Sequence, residues 1–163
     1  MSKEKNDPLT TPLVQLERVR AEPYPGRERD WAERLADALG TVEAALRQHE
    51  CLAEAPNGLF AGVDLQRPTL LRQMNELRLE IAGFMREAQD LRGRLHQAAR
   101  AFQPPDLHGH PDRLPAPVAR TVVPHFGELR EAVSRFLARL RRHREEETRL
   151  VLESVTVDIG AGD

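Results

Sequence analysis

The chain has 163 residues, of which 40% are hydrophobic, 31% charged and 4% aromatic, with a formal net charge of −2. That length predicts one domain with a sizeable core, and the scarcity of aromatics argues against a sandwich or barrel. The near-balanced charge gives no electrostatic case for nucleic acid or an anionic membrane, and a single cysteine, Cys51, excludes an internal disulfide and a cysteine-based zinc knuckle.

All but two of the 24 basic residues are arginine, a bias read as a GC-rich coding sequence rather than a functional signal. No apolar run approaches the ~18 residues of a membrane span. The opening MSKEKNDPLTTP has no signal-peptide apolar core. The expected location is the cytoplasm, and neither nucleic acid nor membrane is an expected partner.

Residues 1–26 read as a partly disordered lead-in. It should be mobile up to about Pro8, with Leu13, Leu16 and Val19 forming one or two helical turns before Pro23, Pro25 and Gly26 end them. A first long helix is predicted from about Glu28 to Ala53, carried by Trp31, Leu35, Ala38, Leu39, Val42, Ala45, Leu46 and Leu52. Pro56, Asn57 and Gly58 stop it. Leu59, Phe60, Val63 and Leu65 follow as plugs under the end of the bundle.

A second long helix opens at Pro68, a residue suited to a first turn. Its seam, Leu70, Met74, Leu77, Ile81, Phe84, Ala88, Leu91, Leu95, Ala98 and Phe102, alternates steps of four and three without a break. The stretch QPPDLHGHPDRLPAP (103–117) is a Pro-rich loop. A third helix is predicted to begin between Val118 and His125, with Pro124 in its first turn or at a kink. Its stripe is Val122, Phe126, Leu129, Val133, Phe136, Leu140, His143, Glu147 and Leu150, fading after Glu153 into an extended tail, residues 154–163.

The predicted fold class is therefore all-α. It is an up-down bundle of three long helices plus a short N-terminal helix, four-helix-bundle-like, occupying residues 27–153.

Three polar residues fall on stripes that are otherwise apolar. They are His49 on the first long helix, and His143 and Glu147 on the third. A polar group on a buried stripe destabilises unless it is partnered. Antiparallel packing puts all three at one level of the bundle, opposite residues 73–77. Glu54, Glu76 and Glu80 should then lie within a turn or two. Inward imidazoles and carboxylates from facing helices are the donor set of a bundle metal site. The same residues also suit a metal-free polar layer of His–Glu hydrogen bonds, or a solvated bundle end.

Other groups are weaker signals. His96 and His125 flank the second loop, and two helix-end histidines are the simpler account. His108, His110 and Asp112 share a loop that would lose entropy on ordering around a metal. Cys51 reads as a partly buried small apolar residue. The run Arg135, Arg139, Arg141, Arg142 and Arg144 reads as a solvated, ion-paired face, because glutamates neighbour it and no aromatic platform is interleaved. No phosphate loop, nucleophile elbow or HExxH motif is present.

The stretches LRQHECLAEAPNGLF (46–60), RPTLLRQMNELRLEIAGF (67–84) and LARLRRHREEETRLVLESVTVDIGAGD (137–163) resemble a bacterial branch of hemerythrin-like proteins. The resemblance implies an all-α bundle that holds two irons through several histidines and two bridging carboxylates and binds or senses oxygen. By position, His49 resembles a family histidine ligand followed by Glu54 as its carboxylate, and His143 resembles the ligand of the last helix. Two departures stand out. Ile81 occupies the place where such proteins commonly carry a histidine after Glu80, and Glu147 stands at an offset that does not match the family's last carboxylate.

The expected metal ligands are thus His49, Glu54, Glu80, His143 and Glu147. They form an incomplete inward cluster for non-haem iron, weakly held, that serves metal or oxygen binding rather than enzymatic turnover. The alternative is a metal-free scaffold or interaction module. It would self-associate through Leu71, Leu79, Leu137 and Val151, which lie off the main seams.

Overall fold

A computed structural model describes residues 7–61, 67–102 and 125–156. Four helices follow in order: α1 Thr10–Ala21, α2 Glu28–Glu54, α3 Pro68–Ala101 and α4 Phe126–Thr156. Contacts run α1–α2, α2–α3, α3–α4 and α4–α1, so the helices close a ring.

The N-terminal segment forms a longer helix than the one or two turns expected. α1 has 12 residues, more than three turns, and buries Leu13, Leu16 and Val19. Leu9, just ahead of it, is fully buried. The Asp7 carboxylate accepts the Leu9 backbone N–H at 3.0 Å, satisfying a donor that helix geometry leaves orphaned. Asp7 also pairs with Arg144. That anchor lies 137 positions away along the chain, and no local pattern announces it.

Glu22 leaves α1 in extended backbone (ψ 142°), as a residue before proline must. In the tight turn that follows, Tyr24 C=O accepts the Arg27 N–H at 2.7 Å, with Gly26 at φ 81°. Proline then glycine at the centre of such a turn is the type II pattern. Trp31, buried against α1, donates its indole N–H to Val19 C=O at 3.1 Å.

α2 ends in a compact reversal. Gly58 N–H bonds to Ala55 C=O at 2.7 Å and Phe60 N–H reaches Ala53 C=O at 3.2 Å. A Cβ on Gly58 would collide with the carbonyl oxygens of Leu52 and Ala53. Phe60 is buried as expected of a plug; Val63 and Leu65 lie outside the described residues. The predicted α3 seam is buried at every position from Leu70 to Ala98, while Phe102 is half-buried against the core.

α4 begins at Phe126 and runs to Thr156, three residues past the expected end. Residues 103–124, Pro124 and the expected loop 103–117 included, and residues 157–163 lie outside the described residues. Two apolar assignments change. Leu52 is half exposed and Ala53 takes the buried place, because Leu46 plus seven is residue 53. Leu137 is buried rather than off the seam, since α4 faces α1 as well as α3. Leu71 and Val151 are half-buried and Leu79 is exposed.

The buried side chains form two clusters. The larger, from Leu9 to Leu140, includes Trp31, Phe84, Leu91 and Phe136. The smaller comprises Ala53, Phe60, Leu70, Met74, Leu77 and Leu150. Each large apolar side chain so buried is worth roughly 1.5–3 kcal/mol.

Candidate functional site

Between the two clusters lies a polar layer. His143 and Glu147 occupy inward positions one turn apart on α4, where the stripe would otherwise continue from Leu140 to Leu150. They are 1% and 4% exposed. His49 enters from α2, half-buried, and places its Nε2 2.9 Å from Glu147 Oε1. The His143 Nε2 stands 3.2 Å from the same oxygen. Two imidazoles from facing helices therefore converge on one carboxylate oxygen.

The far sides of both rings also meet carboxylates. His143 Nδ1 is 2.7 Å from Glu80 Oε2, and its N–H donates across α3–α4. His49 Nδ1 is 3.8 Å from Asp7 Oδ1. Asp7, in turn, closes on Arg144. All four corners of the bundle contribute: the residues leading into α1, the end of α2, the first half of α3 and the second half of α4.

The Nε2 of His143 is buried and has no hydrogen-bond partner. With the ring protonated at Nδ1 to serve Glu80, Nε2 turns a lone pair toward the Glu147 carboxylate. Two acceptors at 3.2 Å repel unless a positive charge lies between or beside them. A proton is one such charge; a metal cation is another.

The electrostatics show the same tension. Burial opposes ionisation of Glu147 most strongly, yet the imidazoles of His143 and His49 outweigh it and draw its pKa from 4.5 down to about 2. Burial likewise opposes the charged form of His143, but the carboxylates of Glu147 and Glu80 outweigh it and raise its pKa above 6.5.

Of the five predicted ligands, His49, His143, Glu147 and Glu80 come together. Glu54 does not. It is exposed and takes a fork of hydrogen bonds from Arg78, at 2.5 and 2.8 Å. Its position follows from helical phase: five residues after His49 is 500° of turn, away from the inward face. Glu76 is also exposed and faces Arg72.

A di-iron centre does not fit these residues. The inward α3 side chains at this level are Leu77, Ile81 and Phe84, all buried and apolar. The His143 ring packs edge-on against Phe84, with centroids 5.4 Å apart. Two ions would need about a dozen donor positions. A single ion has a better set in His49 Nε2, His143 Nε2 and Glu147, with Glu80 and Asp7 outside the rings. As the side chains stand, no group of three His, Cys, Asp or Glu among the described residues has metal-holding geometry.

A cleft of about 600 Å³ opens beside the layer, bordered by Asp7, His49, Leu52, Leu59, Arg144 and Glu147. On the other side, a groove of about 280 Å³ between α3 and α4 carries Glu76, Glu80, Glu146 and Glu153 around Arg149.

The remaining sequence candidates take ordinary places. Cys51 is exposed rather than partly buried. His125 is exposed beside Glu128 at 3.9 Å. Arg139, Arg141 and Arg142 pair with Glu87, Glu17 and Glu146, the ion-paired face expected of them. His108, His110 and Asp112 lie outside the described residues.

One buried carboxylate escaped the sequence reading. Glu43, 4% exposed, accepts from Gln89 at 2.7 Å and Arg92 at 3.1 Å and pairs with Arg47. The Gln89 amide first, and then the two guanidiniums, hold its pKa below 4.5 against the cost of burial. Its signal was present: Leu39, Glu43 and Leu46 step by four and three.

No protein-family model, no curated protein and no solved structure matches this chain. Among the described residues, no helix is long and apolar enough to cross a membrane.

Proposed function

We propose that the chain is a helical-bundle binding protein whose working part is the His49–Glu147–His143 layer, and that this layer takes up one divalent transition-metal ion. The observation that carries the reading is the unpartnered, buried Nε2 of His143, facing the same Glu147 oxygen as His49 Nε2. Separations of 2.9 and 3.2 Å suit neighbouring ligands on one ion, since donors ~2.0–2.2 Å from a metal stand about 3 Å from each other.

Each ring also has a carboxylate behind it, Glu80 at 2.7 Å and Asp7 at 3.8 Å. Such outer groups set the tautomer and raise the basicity of a ligating histidine. Two imidazoles and one carboxylate are a donor set for non-haem iron that leaves coordination positions open for a small ligand such as dioxygen. The resemblance to hemerythrin-like proteins agrees in fold class and in imidazole–carboxylate chemistry; the proposal departs from it in calling for one ion rather than two. Binding, not turnover, is the expected activity.

The second reading is a metal-free structural layer. The absence of a ready-made metal geometry among the described residues favours it. Metal analysis of protein from iron-supplemented cells, with titration of Fe²⁺ and Zn²⁺ into metal-free protein, separates the two. The proposal expects up to one equivalent, a raised melting temperature, and loss of both in His143→Ala. No metal above trace and an unchanged melting temperature leave the structural layer as the function of these residues.

A further inference from the structure

α1 is a short fourth side of the bundle. It has 12 residues against 27 in α2 and 31 in α4, about 18 Å against about 40 and 46 Å at ~1.5 Å per residue. It packs on both of those helices, and covers the corner between them only over its own length. Ala45 on α2 and Leu137 on α4 are buried. Two turns further along each helix, on the same faces, stand Leu52 and Arg144, and both border the cleft of about 600 Å³. Leu52 is 50% exposed. The cleft is thus the stretch of the corner that α1 does not reach, bounded at one end by Asp7 and Pro8.

Its walls are apolar where they are open and closed where they are polar. Leu52, Ala53 and Ala55 from the end of α2 and Leu59 from the reversal supply apolar surface. Every charged side chain on the border already faces a partner. Asp7 closes on Arg144, and Glu147 faces His49 and His143. The Thr148 hydroxyl donates to Arg144 C=O at 2.9 Å, and Asn57 has a partner of its own. A charged guest would give up water for a wall with no counter-charge to spare, and an unpaired charge taken from water is costly. A neutral apolar guest has no such cost and removes leucine surface from water.

From this charge complementarity we infer that the cleft is a binding site for a small neutral apolar molecule, its body against Leu52, Ala55 and Leu59. The volume lies within the range of small-ligand sites and suits a guest the size of a two-ring aromatic. No group has to change its protonation state, and no metal is required, so the inference stands apart from the metal reading.

The test uses the full chain, metal-free, at neutral pH, and three probes of one shape: 2-naphthol, 2-naphthoate and 2-naphthylmethylammonium. Calorimetry gives the affinities, and chemical-shift changes give the place. The neutral probe should bind saturably at one equivalent, about tenfold or more tighter than either charged one, with shifts confined to the end of α2, the reversal after it and the second half of α4. Leu52→Lys, at a half-exposed position, should weaken 2-naphthol about tenfold or more while circular dichroism stays unchanged. Thr148→Phe, which puts bulk on the facing wall at an exposed position, should do the same. Equal binding of the three probes, preference for a charged one, shifts elsewhere, unchanged affinity in both variants, or no saturable binding overturns the inference. So does a dimer in sedimentation whose formation excludes the probe, because the cleft then belongs to a second copy of the chain. Metal titration of the same sample reads the other proposal separately: probe binding without metal uptake sinks only the metal reading, and metal uptake without probe binding sinks only this one.

Discussion

Glu147 shows how much one side chain can set the response of a bundle to pH. Its folded pKa is about 2 against an ordinary 4.5. A lowered carboxyl pKa contributes stability that is present above about 4.5 and is lost as pH falls toward 2. The drop is on the order of 3 kcal/mol, from about 1.4 kcal/mol per pKa unit. His143 works in the other direction. Its folded pKa is raised above 6.5, so its contribution is complete below 6.5 and is lost as pH climbs through the raised value. Urea unfolding midpoints should therefore peak between about pH 4.5 and 6.5 and fall on both sides. Glu147→Gln should flatten the acid arm, and His143→Gln the alkaline arm. A profile in Glu147→Gln as steep below pH 4.5 as in the parent chain would place the acid sensitivity elsewhere.

At the scale of elements, the features with local causes were legible in the sequence. The α3 seam declares itself through nine buried positions at strict four-three spacing, and Pro68 opens that helix where its missing donor does no harm. The inward phase of His49, His143 and Glu147 was legible for the same reason. Features fixed by distant partners were not. Glu54 shares a carboxylate's chemistry with Glu147 but is turned outward to Arg78, 24 residues away. Asp7 matters through Arg144 and His49, on helices whose approach no local pattern encodes. Two predictions belong here. Asp7→Ala removes the Leu9 backbone bond and the Arg144 pair at once. It should cost about 1–2 kcal/mol by urea denaturation, the size of a lost helix cap, and should speed amide exchange across α1. Gly58→Ala drives a methyl group into the Leu52 and Ala53 carbonyls. Backbone cannot yield as a flexible side chain can, so the expected loss is roughly 1–3 kcal/mol, the cost of forced overpacking. Alanine tolerated at position 58 without loss would mean that the α2 reversal is not held as described.

Across the whole molecule, the polar layer divides the interior into unequal parts. The larger cluster holds the only tryptophan, Trp31, tilted against Tyr24 at 4.8 Å and edge-on to Phe126 at 6.2 Å. The smaller rests on six residues, beyond the reach of α1, and depends on Leu150 from the last third of α4. Polar groups between the clusters interrupt continuous apolar packing, so the smaller unit should open by itself at lower free energy than the whole. Leu150→Ala isolates this behaviour, because Leu150 is 2% exposed and truncation of a buried leucine costs about 2–5 kcal/mol. In that variant, amide exchange should accelerate at the end of α2, the start of α3 and the end of α4, while exchange around Trp31 and its fluorescence in native buffer stay as in the parent. If the layer instead couples the two clusters into one cooperative unit, exchange will rise by the same factor everywhere, and the fluorescence midpoint in urea will fall in step with the helical signal. The position of Trp31 lets fluorescence decide between these outcomes, since it reports on the larger cluster alone.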